Sequence, residues 1–572
     1  MSIDSIGGAA ASRAPAMNLD ADVSAELRRC WGYDSFRPLQ ERIVRSLLGR
    51  HDVCVVMPTG GGKSLCYQLP AAMMGAQTAI VVSPLIALMQ DQVAQLDQMG
   101  IPAAMLNSSL AAARQNEIVR QASEGKYRLL YLSPERLARE DSLEWLARVP
   151  ISFFAIDEAH CISEWGHEFR PDYRLLSRLR RHFPGRPIAA FTASATQRVR
   201  HDIIEQLGLH DPHKFIASFH RPNLRYMVKM CDAASQFGLL LSALREHAGS
   251  NVIVYSPTIK RVEQTVEDLR REKIAAIPYH GQMDADSRRT NQERWMSDDV
   301  RVLVATTAFG LGINKAAVRA VIHLSLTKSV EQFYQEAGRA GRDGQPSDCL
   351  LLWQKRDAGL LAHFIGQIED QDEQERAWQR YHMIRNFCEG KVCRHRQICL
   401  YFGETPKWNS CGACDICAPE PDWLTPDPDL AETVRPGAKK KHRPDPAPRS
   451  GNDRPVREDR PGSSHSSKAA DPGPRSHGGK VRDARPADPE LREYLREWRK
   501  LAANERKVPA FVIMHDTSLD ELCQRPPRTL DDIAATSGFG EKKTASYGQA
   551  ILDAVKRFRA GARASKTDDQ DE

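Results

Sequence analysis

Between about residues 50 and 355, short runs of apolar and β-branched residues alternate with stretches whose apolar positions recur at helical spacing. Val53–Val56, Ala79–Val82, Arg128–Leu132, Ile151–Ile156 and Ile188–Phe191 form a first set of expected strands. Asn251–Tyr255, Arg301–Val304, Ala320–Leu324 and Asp348–Trp353 form a second. Runs this short and this apolar suit parallel strands buried on both faces, so the pattern predicts two α/β lobes. Pro212 and Pro222 mark the break between them, within Leu209–Asn223. Beyond residue 360 helical periodicity takes over. Between Arg435 and Ala487 the only large aliphatic residues are Val456 and Val481, so Pro421–Ala487 reads as a flexible linker without enough apolar surface to offset ordering entropy. Order returns at about Asp488 in a helical segment up to Arg559, ahead of an acidic tail, Lys566–Glu572.

At 572 residues the chain is too long for one hydrophobic core. Its 41% hydrophobic and 27% charged content excludes a wholly disordered, collagenous or membrane-embedded class. The net charge of +6 leans only weakly towards anionic partners. Met1–Asp20 has no basic segment leading into an apolar one, so no signal peptide is expected. Ala71–Met89 is mostly apolar, but Gln77, Thr78, Ser83 and Pro84 interrupt it, and a strand with a turn fits better than a membrane span. Thirteen cysteines without a secretory signal argue against a disulfide framework. Cys411, Cys414 and Cys417, separated by two residues each, ask for a metal.

Directly after the strand Val53–Val56 comes Met57-Pro58-Thr59-Gly60-Gly61-Gly62-Lys63-Ser64. Glycines at Gly60, Gly61 and Gly62 let backbone N–H groups point inward at phosphate oxygens, with Thr59 beside them and a helix N-terminus behind. Lys63 can reach the β- and γ-phosphates, and the Ser64 hydroxyl can ligate Mg²⁺. A strict phosphate-loop pattern has Gly where Met57 stands, so this is a helicase-type variant; a glycine-rich turn without a ligand is the alternative. Ile151–Ile156 ends in Asp157-Glu158-Ala159-His160. Asp157 can hold Mg²⁺ and Glu158 can orient and deprotonate the attacking water. In the second half of the chain, Gln335–Gly344 places Arg339 and Arg342 three apart among small residues. A guanidinium there can meet charge developing on the γ-phosphoryl group, which couples hydrolysis to closure of a cleft between lobes; a surface arginine pair is the alternative.

From about Leu27 to Ala418 these residues resemble the RecQ-type helicases of superfamily 2. Phe36-Arg37-Pro38-Leu39-Gln40 is similar to the family's adenine-reading motif, which implies hydrogen bonds from Gln40 to the base and stacking by Tyr33 or Arg37. Cys161–Pro171 is similar to its aromatic-rich loop: Trp165 and Phe169 can stack on unpaired bases while Arg170 meets phosphate. Thr192–Thr196 resembles the coupling motif, with Ser194 in place of its central Thr. Tyr279–Gly281 and Ala305–Lys315 match motifs that grip the DNA backbone. Cys393 with Cys411, Cys414 and Cys417 gives four thiolates suited to structural Zn²⁺, as in the family's zinc module; an iron–sulfur cluster is the competing reading. Cys388, Cys399 and His395 read as packing or surface residues.

The chain departs from many members after the zinc module, where the linker leaves no room for a winged-helix domain. Glu490 to about Lys556 resembles the helicase-and-RNaseD C-terminal (HRDC) domain, in which Gly538–Lys543 forms a hairpin whose amides and lysines can take a phosphate. The expected fold is two RecA-like parallel-sheet lobes (26–210 and 211–355), a helical zinc-binding module (356–420), a disordered linker (421–487) and a small all-α bundle (488–560), with a disordered N-terminus (1–25) and a tail (561–572). The resemblance implies an ATP-dependent 3′→5′ DNA helicase in repair and recombination, using ATP, Mg²⁺ and Zn²⁺. Its expected partners are single-stranded and tailed duplex DNA and a single-stranded-DNA-binding protein; the expected state is a monomer in the bacterial cytoplasm or nucleoid. The rival readings are a DNA-stimulated translocase without strand separation and an RNA-directed enzyme of the same superfamily.

Overall fold

The computed structural model describes residues 19–107, 110–166, 168–309, 315–424, 488–506, 508 and 510–564. Gly310–Asn314 of the second-lobe motif lie outside the described residues, as do nearly all of the expected linker, most of the N-terminus and most of the tail.

The first lobe is a seven-stranded parallel sheet in the order β3-β4-β2-β5-β6-β1-β7. Its strands are β1 (Val53–Val56), β2 (Thr78–Val82), β3 (Ala103–Leu106), β4 (Leu129–Leu132), β5 (Ile151–Ile156), β6 (Ile188–Thr192) and β7 (His213–Ile216). The second is six-stranded, also parallel, in the order β10-β11-β9-β12-β13-β8. It comprises β8 (Leu224–Met230), β9 (Asn251–Tyr255), β10 (Ala276–Tyr279), β11 (Val302–Ala305), β12 (Val318–His323) and β13 (Ser347–Trp353). All nine expected strands are present, and they are the interior strands of the two sheets. β7 extends the first lobe past the expected limit at 210, because it pairs with β1.

β1, β6 and β5 lie side by side at the middle of the first sheet, so the segments leaving their carboxyl ends converge. This is where α/β sheets place ligands. The helices Lys355–Gly366, Gln371–Glu389 and Arg394–Tyr401 pack the cysteine module onto the second lobe. The expected linker begins too early: Asp422–Leu424 forms a 3₁₀ turn whose Leu424 is buried against the second lobe, and its carbonyl accepts from Lys229. An apolar Trp-Leu pair inside a polar stretch is enough to anchor it.

The C-terminal bundle, Pro489–Arg506 to Glu541–Arg559, closes around Leu495, Ile513, Leu519, Ile533 and Ile551. It packs against both lobes, which the reading of Pro421–Ala487 as a flexible linker did not include. Lys542 Nζ donates to the Asp97 carbonyl, Tyr547 to Gln98, Arg496 to the Ser297 carbonyl, and Lys500 pairs with Asp299. Lys543 is buried inside the bundle, so of the two hairpin lysines only Lys542 reaches outward.

Below the second sheet Lys315 is buried, its Nζ 2.6 Å from both Asp298 Oδ1 and the Trp295 carbonyl. Burial pushes the Asp298 carboxyl up, but Lys315 and Asn251 outweigh that and hold it down at about 2. The stability it contributes is therefore complete above its unfolded pKa of about 3.9 and lost as pH falls towards 2. Lys315→Met leaves Asp298 buried and unpaired, with an expected loss of about 3–5 kcal/mol in chemical denaturation at neutral pH. A loss below about 1 kcal/mol would show that the pair is dispensable.

Candidate nucleotide and nucleic-acid site

After β1 the chain turns through Met57–Gly62 into the helix Lys63–Met73. Gly60 and Gly62 both have φ of 81°, a conformation open to glycine at little cost. Met57 N–H donates to the Thr192 carbonyl at 3.0 Å, tying the start of the loop to the end of β6. Lys63 Nζ donates to the Met57 carbonyl at 3.2 Å, and Ser64 stands half-buried in the first helical turn. Gln40 is buried against this loop: its Oε1 accepts from Arg37 N–H, and its Nε2 lies 3.3 Å and 3.2 Å from the carbonyls of Gly61 and Gly62. Arg37 donates to the Gly60 carbonyl, and Tyr33 is partly exposed near it.

Asp157 leaves β5 with its N–H on the Val82 carbonyl at 2.8 Å. Burial, then the neighbouring Glu158 charge, raise its pKa to about 7 against the pull of Lys63. Glu158 itself adopts a left-handed conformation (φ 45°), the kind of strain that clusters at functional sites. His160 is buried between the box and the loop that follows. Its Nδ1 lies 3.0 Å from Thr192 Oγ1 and 3.3 Å from Glu158 Oε2, and its Nε2 lies 3.9 Å from Glu168 Oε2. Burial disfavours the imidazolium, but Cys161, Glu158 and Glu168 outweigh it and raise the His160 pKa. A continuous polar path therefore runs from Glu158 to the aromatic loop.

In that loop Phe169 is 37% exposed, with Arg174 near its ring, and Arg170 N–H donates to the Cys161 carbonyl. Trp165 is less available than expected. The Arg198 guanidinium lies 3.0 Å from its ring centroid and Arg376 lies 5.4 Å away, because an indole face attracts guanidinium groups. A cavity of about 730 Å³ opens beside the loop, walled by Glu168, Thr307, Lys328, Arg339, Phe364 and Arg380.

The second lobe meets the phosphate loop through Arg342, which is half-buried with its side chain packed on Gly60: a Cβ there would come within 3.0 Å of Arg342 Cγ. Burial, with Arg339 and Arg221 nearby, lowers the Arg342 pKa to about 9. Arg339 points elsewhere, next to Tyr255 and into the cavity. Gln335 Nε2 donates across the cleft to Ser194 Oγ at 2.8 Å, so the substituted residue keeps a hydroxyl in use. Sequence reading missed Arg221, which it placed only in a boundary segment. Its guanidinium donates to the Thr59 carbonyl at 3.5 Å and to those of Ala340 and Gly341 at 3.3 Å and 3.1 Å.

The thiolates of Cys393, Cys411, Cys414 and Cys417 lie within 4.8 Å of one another. Tetrahedral zinc with Zn–S near 2.3 Å needs sulfurs about 3.8 Å apart, and Cys393 and Cys414 are 4.0 Å apart. Backbone N–H groups of Arg394, Ala413 and Cys414 point at these sulfurs at 3.4 Å, as they do at thiolates. The site fits the ion.

Four family models match the chain: DEAD/DEAH box helicase over residues 37–203, helicase conserved C-terminal domain over 235–344, RecQ zinc-binding over 355–418 and HRDC domain over 488–555. The third match spans all four cysteines and supports zinc over an iron–sulfur cluster. The chain is 40% identical over 395 residues to the ATP-dependent DNA helicase RecQ of Haemophilus influenzae, covering 69% of this chain and 63% of that protein. It is 40% identical over 394 residues to the Bacillus subtilis protein of the same name, covering 68% and 66%. For the Arabidopsis thaliana ATP-dependent DNA helicase Q-like 2 the figures are 40% over 402 residues, 68% and 56%. The chain thus spans between 56% and 66% of the length of these relatives. With the two lobes, the cysteine module and the helical bundle in the order of those matches, the chain belongs to the RecQ family of superfamily 2 helicases and carries a C-terminal HRDC domain.

Proposed function

We propose that this protein is an ATP-dependent DNA helicase that translocates 3′→5′ on single-stranded DNA and opens duplex during repair and recombination. The carrying observation is the packing of second-lobe Arg342 on Gly60 of the first-lobe phosphate loop. ATP and Mg²⁺ bind between the lobes. Lys63 and the amides of Thr59–Gly62 hold the phosphates, Ser64 and Asp157 hold Mg²⁺, Glu158 takes the proton of the attacking water, and Arg342 senses the γ-phosphate. Arg339 supports Arg342 from the cavity side. Gln40 reads adenine by exchanging its bonds to Gly61 and Gly62 for the base, with Tyr33 or Arg37 stacking on it. Trp165, Phe169 and Arg170 take the strand once Arg198 yields the indole face, and His160 carries the news of occupancy to Glu158. The partners are single-stranded and tailed duplex DNA and a single-stranded-DNA-binding protein, for a monomer at the bacterial nucleoid. No described helix is long and apolar enough to cross a membrane.

The test is strand displacement from 3′-tailed, 5′-tailed and blunt duplexes, with ATP hydrolysis followed in the same tube and Lys63→Ala as control. Displacement of the 3′-tailed substrate coupled to hydrolysis is expected. DNA-stimulated hydrolysis without displacement would make the protein a translocase, and stronger stimulation by RNA of the same sequence would overturn the DNA assignment.

A further inference from the structure

The hinge between the lobes, residues 217–223, is clasped by the zinc module. Ser218 Oγ and Phe219 N–H donate to the two carboxylate oxygens of Glu404 at 2.6 Å and 2.8 Å. Phe219 stacks on Phe402, with centroids 4.3 Å apart and planes 10° from parallel. His220 packs against His395 and Trp408, and His395 Nε2 lies 3.0 Å from the Arg221 carbonyl. Phe402, Glu404 and Trp408 stand between the zinc ligands Cys393 and Cys411, and His395 follows Cys393 by two residues.

The Arg221 side chain faces the other way, into the cleft. One nitrogen reaches the Thr59 carbonyl in the phosphate loop, and the other reaches the Ala340 and Gly341 carbonyls, in the turn that separates Arg339 from Arg342. Asn223 grips the same turn, with Nδ2 2.8 Å from the Gly341 carbonyl and 3.1 Å from that of Gln345. Gly341 has φ of 54°, and a Cβ there would meet Asn223 Nδ2 at 2.4 Å, so the turn is built to be held this closely. The hinge is therefore a strut. Its backbone is fixed by the zinc module, and its side chains fix the distance between the phosphate loop and the arginine turn.

We propose that Arg221 is a positioning residue for ATP hydrolysis, and that the zinc module sets its position through Glu404, Phe402 and His395. The proposal rests on the reading of the cleft as an ATP site. Arg221 acts on the rate because a displacement of about 1 Å in the group that meets the γ-phosphate costs on the order of 10²-fold in turnover, whereas nucleotide affinity comes from the phosphate loop. It also explains why a zinc module that contributes no residue to the phosphate loop packs so closely on the hinge.

The test uses the full chain, DNA-stimulated hydrolysis, the Kd of a non-hydrolysable ATP analogue, zinc content and the thermal midpoint. Arg221→Ala is expected to lower kcat roughly 10–100-fold while KM for ATP and analogue affinity move less than about threefold. Arg221→Lys, which keeps a cationic donor for the carbonyls, recovers part of the loss. Glu404→Gln and His395→Ala are expected to lower kcat in the same pattern with one zinc per chain retained. If Arg221→Ala keeps kcat within about threefold of wild type, or loses kcat and analogue affinity in equal measure, the positioning role is wrong. If Arg221→Ala is impaired but both zinc-module variants match wild type, the link to the module is overturned. A wild-type chain that hydrolyses no ATP defeats the proposed function instead, so the two failures are distinguishable.

Discussion

Replacing Arg342 with alanine lowers ATP turnover by about 10³-fold or more and leaves nucleotide binding close to wild type. The geometry separates the two effects. Arg342 comes from the second lobe and lies on Gly60, whereas Lys63, Ser64 and the loop amides proposed to hold the nucleotide all belong to the first. Losing the arginine therefore removes stabilisation of the charge that develops during transfer and spares the ground-state contacts. Arg342→Lys recovers little, because a lysine presents a point charge in place of a rigid planar fork. Single-turnover hydrolysis together with the Kd of a fluorescent nucleotide checks this. Turnover within tenfold of wild type would move the sensing role to another residue, and Arg339, beside Tyr255, would be tested next.

Cys414→Ser gives a chain without zinc and with the 356–420 module unfolded. Cys414 is the most deeply buried of the four sulfurs and receives the Arg394 N–H. Binding energy at structural zinc sites, about 10–16 kcal/mol in small zinc-binding peptides, is folding energy for the segment that supplies the ligands. Here that segment carries Phe402 and Cys399, both buried in the same core as Phe219 and Tyr334. The expected result is zinc falling from one per chain to none, rapid proteolysis between residues 390 and 420, a lowered thermal midpoint and loss of DNA-stimulated hydrolysis. Cys388→Ser and Cys399→Ser leave zinc content at one, since these thiols lie outside the four-sulfur cluster and burial pushes both up to about 12. A Cys414→Ser chain that still holds a full equivalent of zinc would refute the ligand set.

The sequence by itself determined what depends on burial and on local backbone conformation. Interior strands of a parallel sheet are apolar on both faces, so all nine announce themselves as runs such as Val53–Val56 and Asn251–Tyr255. The four that did not, β3, β7, β8 and β10, are the edges of the two sheets. An edge strand is half-covered and tolerates polar residues, as in β7, where only Phe215 is buried, or a proline, as at Pro278 in β10. The phosphate loop, the Asp157–Glu158 pair and the cysteine cluster are legible for a related reason. The loop, the acidic pair and Cys411–Cys417 work through neighbours a few residues away, and spacing along the chain records their geometry.

The tertiary structure alone decided which distant groups meet. Arg339 and Arg342 look equivalent in sequence, yet the turn through Gly341 that follows the helix Val330–Ala337 sends one to the cavity and the other to Gly60. Arg221 carries no signal beyond a neighbouring proline, and its three carbonyl partners lie more than a hundred residues away on either side. Trp165 is enclosed by arginines from two other elements, and the C-terminal bundle docks through the close approach of Gly540 to Cys30 and bonds such as Lys542 to Asp97. A one-dimensional pattern reports how much water a residue avoids. It cannot report the direction of a long side chain, and in this cleft that direction assigns the chemistry.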